Sequence, residues 1–518
     1  MSTERSFDYV IVGAGTAGCV LAGRLSEDAD VTTALLEAGG SDRQAEIQTP
    51  AAFPATFKSA LDWDLLGEPE QAIGGRRFYL PRGRVLGGSG SINAMIYIRG
   101  NRADYDEWAA LGAEGWSYQD VLPYFRRSED NERGEDAYHG VGGPMRISDS
   151  RSMHPLVDVM IEAATQAGHE RNPDFNGGRQ EGVGRFQFTQ RDGLRWSTAD
   201  GFLHPAAERE NLTVVSRAFA TRILFDGERA AGVEIQEGDE LVALYARREV
   251  ILSAGAYQSP ALLMLSGIGP ADALAPMGIE QRVDLPVGHN LQDHVMAQLN
   301  YLSSEPALFD IFTPENFELL AQGTGPLTSN WPEGALFMRT RGGLDGPDVQ
   351  FHLCPSLFFD EGLTIPHDHG FCFGPVVIKP SSRGRVTLRT PRPDSKPIVA
   401  TNCLSTEEDR ASMIAGTRRA LEMAAQPALA AAIREPFIVP ASDSEQDIME
   451  FVRRAVQPVY HPTSTCSIGH VVDPQLRVYG VAGLRVADAS VMPTITRGNT
   501  NAATIMIGEK AADLIRAG

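Results

Sequence analysis

The start of the chain carries the pattern that most restricts its fold. Phe7-Asp8-Tyr9-Val10-Ile11-Val12 is a short, β-branched, apolar run that stops at Gly13, as a buried strand does. Ala17, Val20, Leu21 and Leu25 then recur at helical spacing. A second strand-like run, Val31 to Glu37, ends in Ala38-Gly39-Gly40. Strand, helix and strand within about 30 residues make a βαβ unit, the smallest piece of a parallel sheet. Its first turn reads Gly13-Ala14-Gly15-Thr16-Ala17-Gly18, and an acid, Glu37, closes the second strand. Gly13 permits the tight turn, and Gly15 lets the backbone approach a pyrophosphate seated on the helix N-terminus. Thr16 and Ala17 complete that contact. Gly18 lets the helix pack close to the strand, and Glu37 can accept hydrogen bonds from ribose hydroxyls while repelling a 2′-phosphate. FAD and NAD both satisfy this pattern.

Charge and composition remove other classes. With 46 Lys+Arg against 67 Asp+Glu, the net charge is −21 over 518 residues, and an acidic surface repels a phosphate backbone, which excludes a general nucleic-acid role. No run approaches the roughly 18 apolar residues of a membrane span. Met1-Ser2-Thr3-Glu4-Arg5-Ser6 lacks the basic and apolar regions of a secretory signal, so a reducing cytoplasm is the expected compartment. Cys19, Cys354, Cys372, Cys403 and Cys466 are too scattered for a disulfide framework or a zinc site, and no metal is expected.

Downstream, residues 75–100 read as a Gly- and Arg-rich loop entering a helix, 211–252 as a meander of alternating strands, and 405–455 as two helices starting near a Ser405-Thr406-Glu407-Glu408 cap. Three stretches narrow the function. Gly83-Arg84-Val85-Leu86-Gly87-Gly88-Ser89-Gly90-Ser91-Ile92-Asn93 would let backbone N–H groups approach a ring or phosphate. Gly255 to Gly269 reads as a strand end, a proline at a helix start and a glycine-terminated helix. Val459-Tyr460-His461-Pro462 is followed by Asp488-Ala489 and then by Gly498-Asn499-Thr500-Asn501-Ala502.

Together with Val287-Gly288-His289-Asn290-Leu291-Gln292-Asp293-His294, these stretches resemble the glucose–methanol–choline (GMC) oxidoreductases, from Tyr9 to Ile515. The chain is most similar to choline-dehydrogenase-like and aryl-alcohol or hydroxymethylfurfural-oxidising members. The resemblance implies FAD, with oxidation of a primary alcohol by proton removal and hydride transfer to the flavin. It implies His461 as general base, a role suited to imidazole at neutral pH, and Asn501 as its partner. Cofactor contacts are then expected from Arg84, Gly88, Asn93, Ala94, Ala220, Asp488, Ala489, Asn501 and Ala502, besides Gly13, Gly15, Thr16, Ala17, Gly18 and Glu37. Ile92 stands where some members carry a flavin-linking histidine, which implies non-covalent FAD.

For the substrate pocket the resemblance points to Glu333, His352, Trp331, Phe337, Val459 and Tyr460, with Phe358 and Phe359 as further aromatic candidates. Glu333 matches a carboxylate that choline-oxidising members use for a cationic alcohol, an arrangement completed by aromatic faces. Ala94 stands where choline oxidases carry serine, which favours an aromatic or small primary alcohol over choline. A choline-type dehydrogenase and an FAD-containing hydroxynitrile lyase are the alternatives. The electron acceptor is expected to be O2 or a quinone, and a homo-oligomer is open. The implied fold is α/β: a Rossmann-type FAD domain (1–155, 195–296 and 456–518) interleaved with an α+β substrate domain (156–194 and 297–455), a sheet backed by helices.

Overall fold

The computed structural model describes residues 5–518; the reading of Met1-Ser2-Thr3-Glu4 lies outside the described residues. β1 (Arg5–Val12), α1 (Thr16–Leu25) and β2 (Thr33–Glu37) form the expected unit. β1 and β2 pair in parallel, from Tyr9 against Thr33 to Val12 against Leu36. Val10, Ile11, Leu35 and Leu36 are buried on both faces of the sheet, which is why both strands read as unbroken apolar runs. Leu212–Ser216 joins the β2 side and Glu240–Leu252 the β1 side, both in parallel. Arg229–Glu237 and Ala218–Asp226 then extend the sheet as an antiparallel meander. Leu484–Val486 returns from the far end of the chain to lie parallel against Val250 to Leu252.

The second sheet is antiparallel, in the order Ile433–Ile438, Leu299–Ser303, Gly370–Val377, Val349–Cys354, Gly334–Met338 and Gly182–Arg185. One face carries Leu299, Tyr301, Phe351, Leu353, Phe371 and Phe373. It packs on Leu156 and Met160 of helix Pro155–Gln166 and on Met413 and Met423 of helix Glu407–Ala424. The Thr406 hydroxyl caps the latter helix by accepting from Asp409 N at 3.3 Å, and three acids fill its first turn, favourable to the helix dipole. Between this helix and Glu445–Ala455 lies a strand, Ile433–Ile438, that the sequence reading passed over. Glu435 and Pro436 hide its pattern, and proline is tolerated because the strand is at the sheet edge.

Two differences from the expected organisation matter. Val295–Met296 and Gln457–Pro458 pair with each other, and Val295–Met296 also pairs with Gly370–Val377, so both belong to the second sheet and not to the first body. Pro260 lies inside helix Gly255–Leu265 and does not start it. None of the helices among the described residues is long and apolar enough to cross a membrane.

Candidate active site

A single cavity runs from the β1–α1 turn to the polar face of the second sheet. At one end it is lined by Gly13, Gly15, Thr16, Ala17 and Glu37. The three motif glycines differ in what demands them. A Cβ at Gly13, which has φ +99°, would lie 2.6 Å from Ser253 O, and one at Gly18 would collide with the Gly13 carbonyl. A Cβ at Gly15 would meet no protein atom closer than 3.8 Å. The protein requires Gly13 and Gly18 for its own packing, whereas Gly15 keeps the cavity floor bare, as close approach of a pyrophosphate needs. Glu37 accepts from Ala14 N at 3.0 Å and Gly39 N at 2.8 Å. Burial raises its carboxyl to about 7 against those hydrogen bonds. These residues fit the ADP half of FAD.

Gly88, Asn93, Ala94, Ala220, Asp488, Ala489 and Asn501 also line the cavity. Arg195, unremarked in the sequence, is fully buried and fixes the loop Gly88 to Asn93: it donates to Asn93 Oδ1 at 2.8 Å, Asn93 O at 2.7 Å and Gly90 O at 3.1 Å. Asp488 accepts from Gly255 N and Ser259 Oγ, tying down the start of helix Gly255–Leu265. Three expected contacts fall outside. Arg84 is exposed and places its guanidinium 5.1 Å from the Trp63 ring; Arg82 lines the cavity instead. Ala502 is buried in the C-terminal helix Asn501–Ala517, behind the lining residues. Gly18 lies beneath the turn.

His461 reaches the cavity from a backbone under strain. Tyr460 before it has φ +65°, uncommon for a bulky residue. Arg82 donates to the Tyr460 carbonyl at 2.6 Å, and Asp293 Oδ1 accepts from His461 N at 2.7 Å and from His294 N at 2.8 Å. One carboxylate thus holds the backbones of two histidines. Their rings meet at 3.0 Å between the Nδ1 atoms. On the other side of the imidazole, Asn499 Nδ2 lies 3.2 Å from His461 Nε2.

The partner of His461 is therefore Asn499, not Asn501. Asn501 begins the C-terminal helix, and its Oδ1 accepts from the Thr16 hydroxyl at 2.8 Å. Both asparagines stand in one Asn-Thr-Asn stretch, and only the turn into the helix separates their directions. Hydrogen bonding also orders the protons. With Asn499 donating to Nε2, the His461 proton sits on Nδ1 and is donated to His294 Nδ1, whose own proton is then on Nε2. Burial, followed by the fields of His294, His352 and Arg82, holds His461 well below the usual histidine range. Burial lowers His294 to about 3. His461 is thus neutral, with the lone pair of Nε2 facing Asn499.

The far end of the cavity is mainly apolar, with Trp331, Phe358, Val459 and Tyr460 in its lining and His352 beside them. Glu333 is not there. Fully buried, it accepts from Ser329 Oγ at 2.7 Å and His154 N at 2.8 Å, with Arg185 at 3.4 Å. Its charge is spent on joining strand Gly334–Met338 to the start of helix Pro155–Gln166. Phe337 packs against Phe175, their ring centroids 5.0 Å apart, and Phe359 against Phe437; neither lines the cavity.

A dinucleotide cradle opening onto a neutral, asparagine-held histidine defines a cofactor-dependent oxidoreductase site. Family models described as GMC oxidoreductase match residues 7–296 and 380–508. The chain is 45% identical to an uncharacterised GMC-type oxidoreductase of Mycobacterium bovis, over 98% of this chain and 99% of that one. It is 43% identical to an oxygen-dependent choline dehydrogenase of Rhizobium etli, over 98% and 95%. Its backbone is similar to that of pyridoxine 4-oxidase from Mesorbium loti, with TM-score 0.91 and 31% identity over 99% of each chain. The chain belongs to the GMC oxidoreductase family. It is an oxidoreductase acting on CH–OH donors, as oxidase or dehydrogenase, and FAD is the cofactor typical of that family.

Proposed function

We propose that this enzyme oxidises a neutral primary alcohol, aromatic or small, to the aldehyde, with His461 Nε2 as the proton acceptor. The observation that carries this reading is the His461–Asn499 pair, set in a cavity continuous with the dinucleotide cradle. Gly15, Glu37 and the loop Gly88 to Asn93 would hold FAD, which when bound supplies the acceptor for the hydride leaving the carbinol carbon. Ile92 in that loop offers no nucleophile, which supports non-covalent binding. His461 takes the hydroxyl proton at Nε2 once the alcohol oxygen replaces the Asn499 N–H there. Asn499 donates an amide N–H to the oxygen as its negative charge develops, and it cannot titrate. His294 accepts the Nδ1 proton of His461 and so fixes the tautomer. Met296, Phe358 and Trp331 keep water from the carbinol.

Glu333 is committed elsewhere, so no counter-charge for a cationic alcohol comes from that position. O2 or a quinone-type acceptor completes the cycle in this reading. Anaerobic mixing with alcohols, followed at the flavin absorbance, tests the proposal. The flavin should bleach with a neutral primary alcohol, and His461→Ala should slow bleaching at least about 100-fold while flavin stays bound. Bleaching by no alcohol, or an unaffected variant, refutes the assignment.

A further inference from the structure

We infer that Gln298 and His352 form a recognition pair for a second, uncharged polar group on the alcohol. This deepens the proposed oxidation and rests on it. The inference starts from the second sheet. His352 pairs directly with Gly374. Continuing the register of Leu299 against Phe373, with Ala297 N bonded to Pro375 O at 3.0 Å, puts Gln298 opposite Gly374 on its other side. Gln298, Gly374 and His352 therefore form a row across three strands, with both side chains in the cavity wall. The outer backbones stand about 10 Å apart, two strand spacings. Gly374 cannot carry a side chain, because a Cβ there would collide with the Ala297 carbonyl. The row is a polar pair separated by a residue that places no side chain between them.

Both side chains are buried, and each keeps a polar atom that the protein leaves unpaired. Gln298 Oε1 and His352 Nε2 have no hydrogen-bond partner in the chain. Gln298 Nε2 reaches only the weak acceptor Met296 Sδ, at 3.4 Å. Asn300, on the same sheet face, shows what a structural amide does: its Oδ1 accepts from Phe358 N at 2.9 Å and its Nδ2 donates to Gln298 O at 3.1 Å. An unpaired buried polar group is costly, so a wall that keeps two of them is built to pair them with a ligand. The neighbouring lining, Met296, Cys354, Cys372 and Phe358, is uncharged. Burial lowers His352 to about 4, so near neutrality it offers one donor and one acceptor. The matching chemistry is a hydroxyl, carbonyl or ring nitrogen borne on a ring that also carries the carbinol.

The test compares kcat/KM for anaerobic flavin reduction by benzyl alcohol with that by 3- and 4-hydroxybenzyl alcohol. The wild-type holoenzyme should favour a hydroxylated substrate at least about tenfold. Gln298→Leu and His352→Leu should each cut that ratio about tenfold, and His352→Gln, which keeps a neutral donor and acceptor, should preserve most of it. A wild-type ratio near one, or ratios unchanged in both Leu variants, overturns the inference. If no alcohol reduces the flavin, the proposed oxidation fails instead. Affinities for 4-methylphenol and toluene, read from the flavin absorbance shift, then decide: tighter binding of the phenol, lost in the Leu variants, supports the pair, and equal affinities overturn it.

Discussion

Replacing Asn499 by alanine tests the geometry that most separates this site from its sequence motif. The substitution removes the N–H that lies 3.2 Å from His461 Nε2. In the proposed reaction that N–H serves the alcohol oxygen as its proton leaves, so the bond lost is one to a developing charge. Such bonds are worth about 2–4 kcal/mol in a preorganised site, which is about 30- to 1,000-fold in rate. Asn501→Ala removes a different bond, from the Thr16 hydroxyl at the cradle. A neutral hydrogen bond contributes about 1 kcal/mol, so flavin affinity should weaken about fivefold. The limiting reduction rate should stay within about threefold. Stopped-flow reduction at saturating alcohol gives the first quantity, and flavin content after dilution gives the second. The reasoning is refuted if Asn501→Ala slows reduction as much as Asn499→Ala, or if Asn499→Ala is within threefold of wild type.

Other outcomes follow from the same structure. Gly15→Ala should leave the apoprotein melting temperature unchanged and abolish flavin retention, because its Cβ meets no protein atom within 3.8 Å; loss of folding would contradict this. Glu333→Ala, measured by denaturant unfolding, should cost about 1–3 kcal/mol by leaving the buried Ser329 and His154 donors unpaired, while Arg185 keeps Asp158 at 2.9 Å. It should leave the preference among neutral alcohols as it was, and a selective loss of choline turnover would show the carboxylate to be a substrate ligand after all. His352 has a depressed folded value of about 4, so its contribution is present above about 6.5 and is lost as pH falls toward 4. Stability measured across that window should fall about 1.4 kcal/mol per pH unit less steeply in His352→Gln, and equal slopes would count against a buried neutral imidazole. Acid precipitation of the holoenzyme should release yellow flavin to the supernatant; flavin retained in the pellet would mean a covalent link.

The βαβ unit was legible in the sequence because its constraints are local. Gly18 and Glu37 act within one turn and two neighbouring strands, and strand and helix periods are visible in Val10 to Leu25. His461 was named by the family resemblance, not by a local constraint. What the residues alone left undecided was direction. Asn499 and Asn501 are two positions apart in one motif, yet the helix starting at Asn501 sends one side chain to His461 and the other to Thr16. Glu333 looked like a pocket carboxylate until strand Gly334–Met338 met helix Pro155–Gln166 and consumed its charge. Arg195 and Gln298 carry no local signature, and Asp293 stands in a family-like stretch that assigns it no role. Each acquires its role from a partner distant in the chain: Asn93 for Arg195, His461 for Asp293 and, through Gly374, His352 for Gln298. Sequence determined the strand–helix–strand cradle, whose periods and turn are read from neighbouring residues. Only tertiary structure decided which groups line the cavity, because that depends on packing between two interleaved sheets.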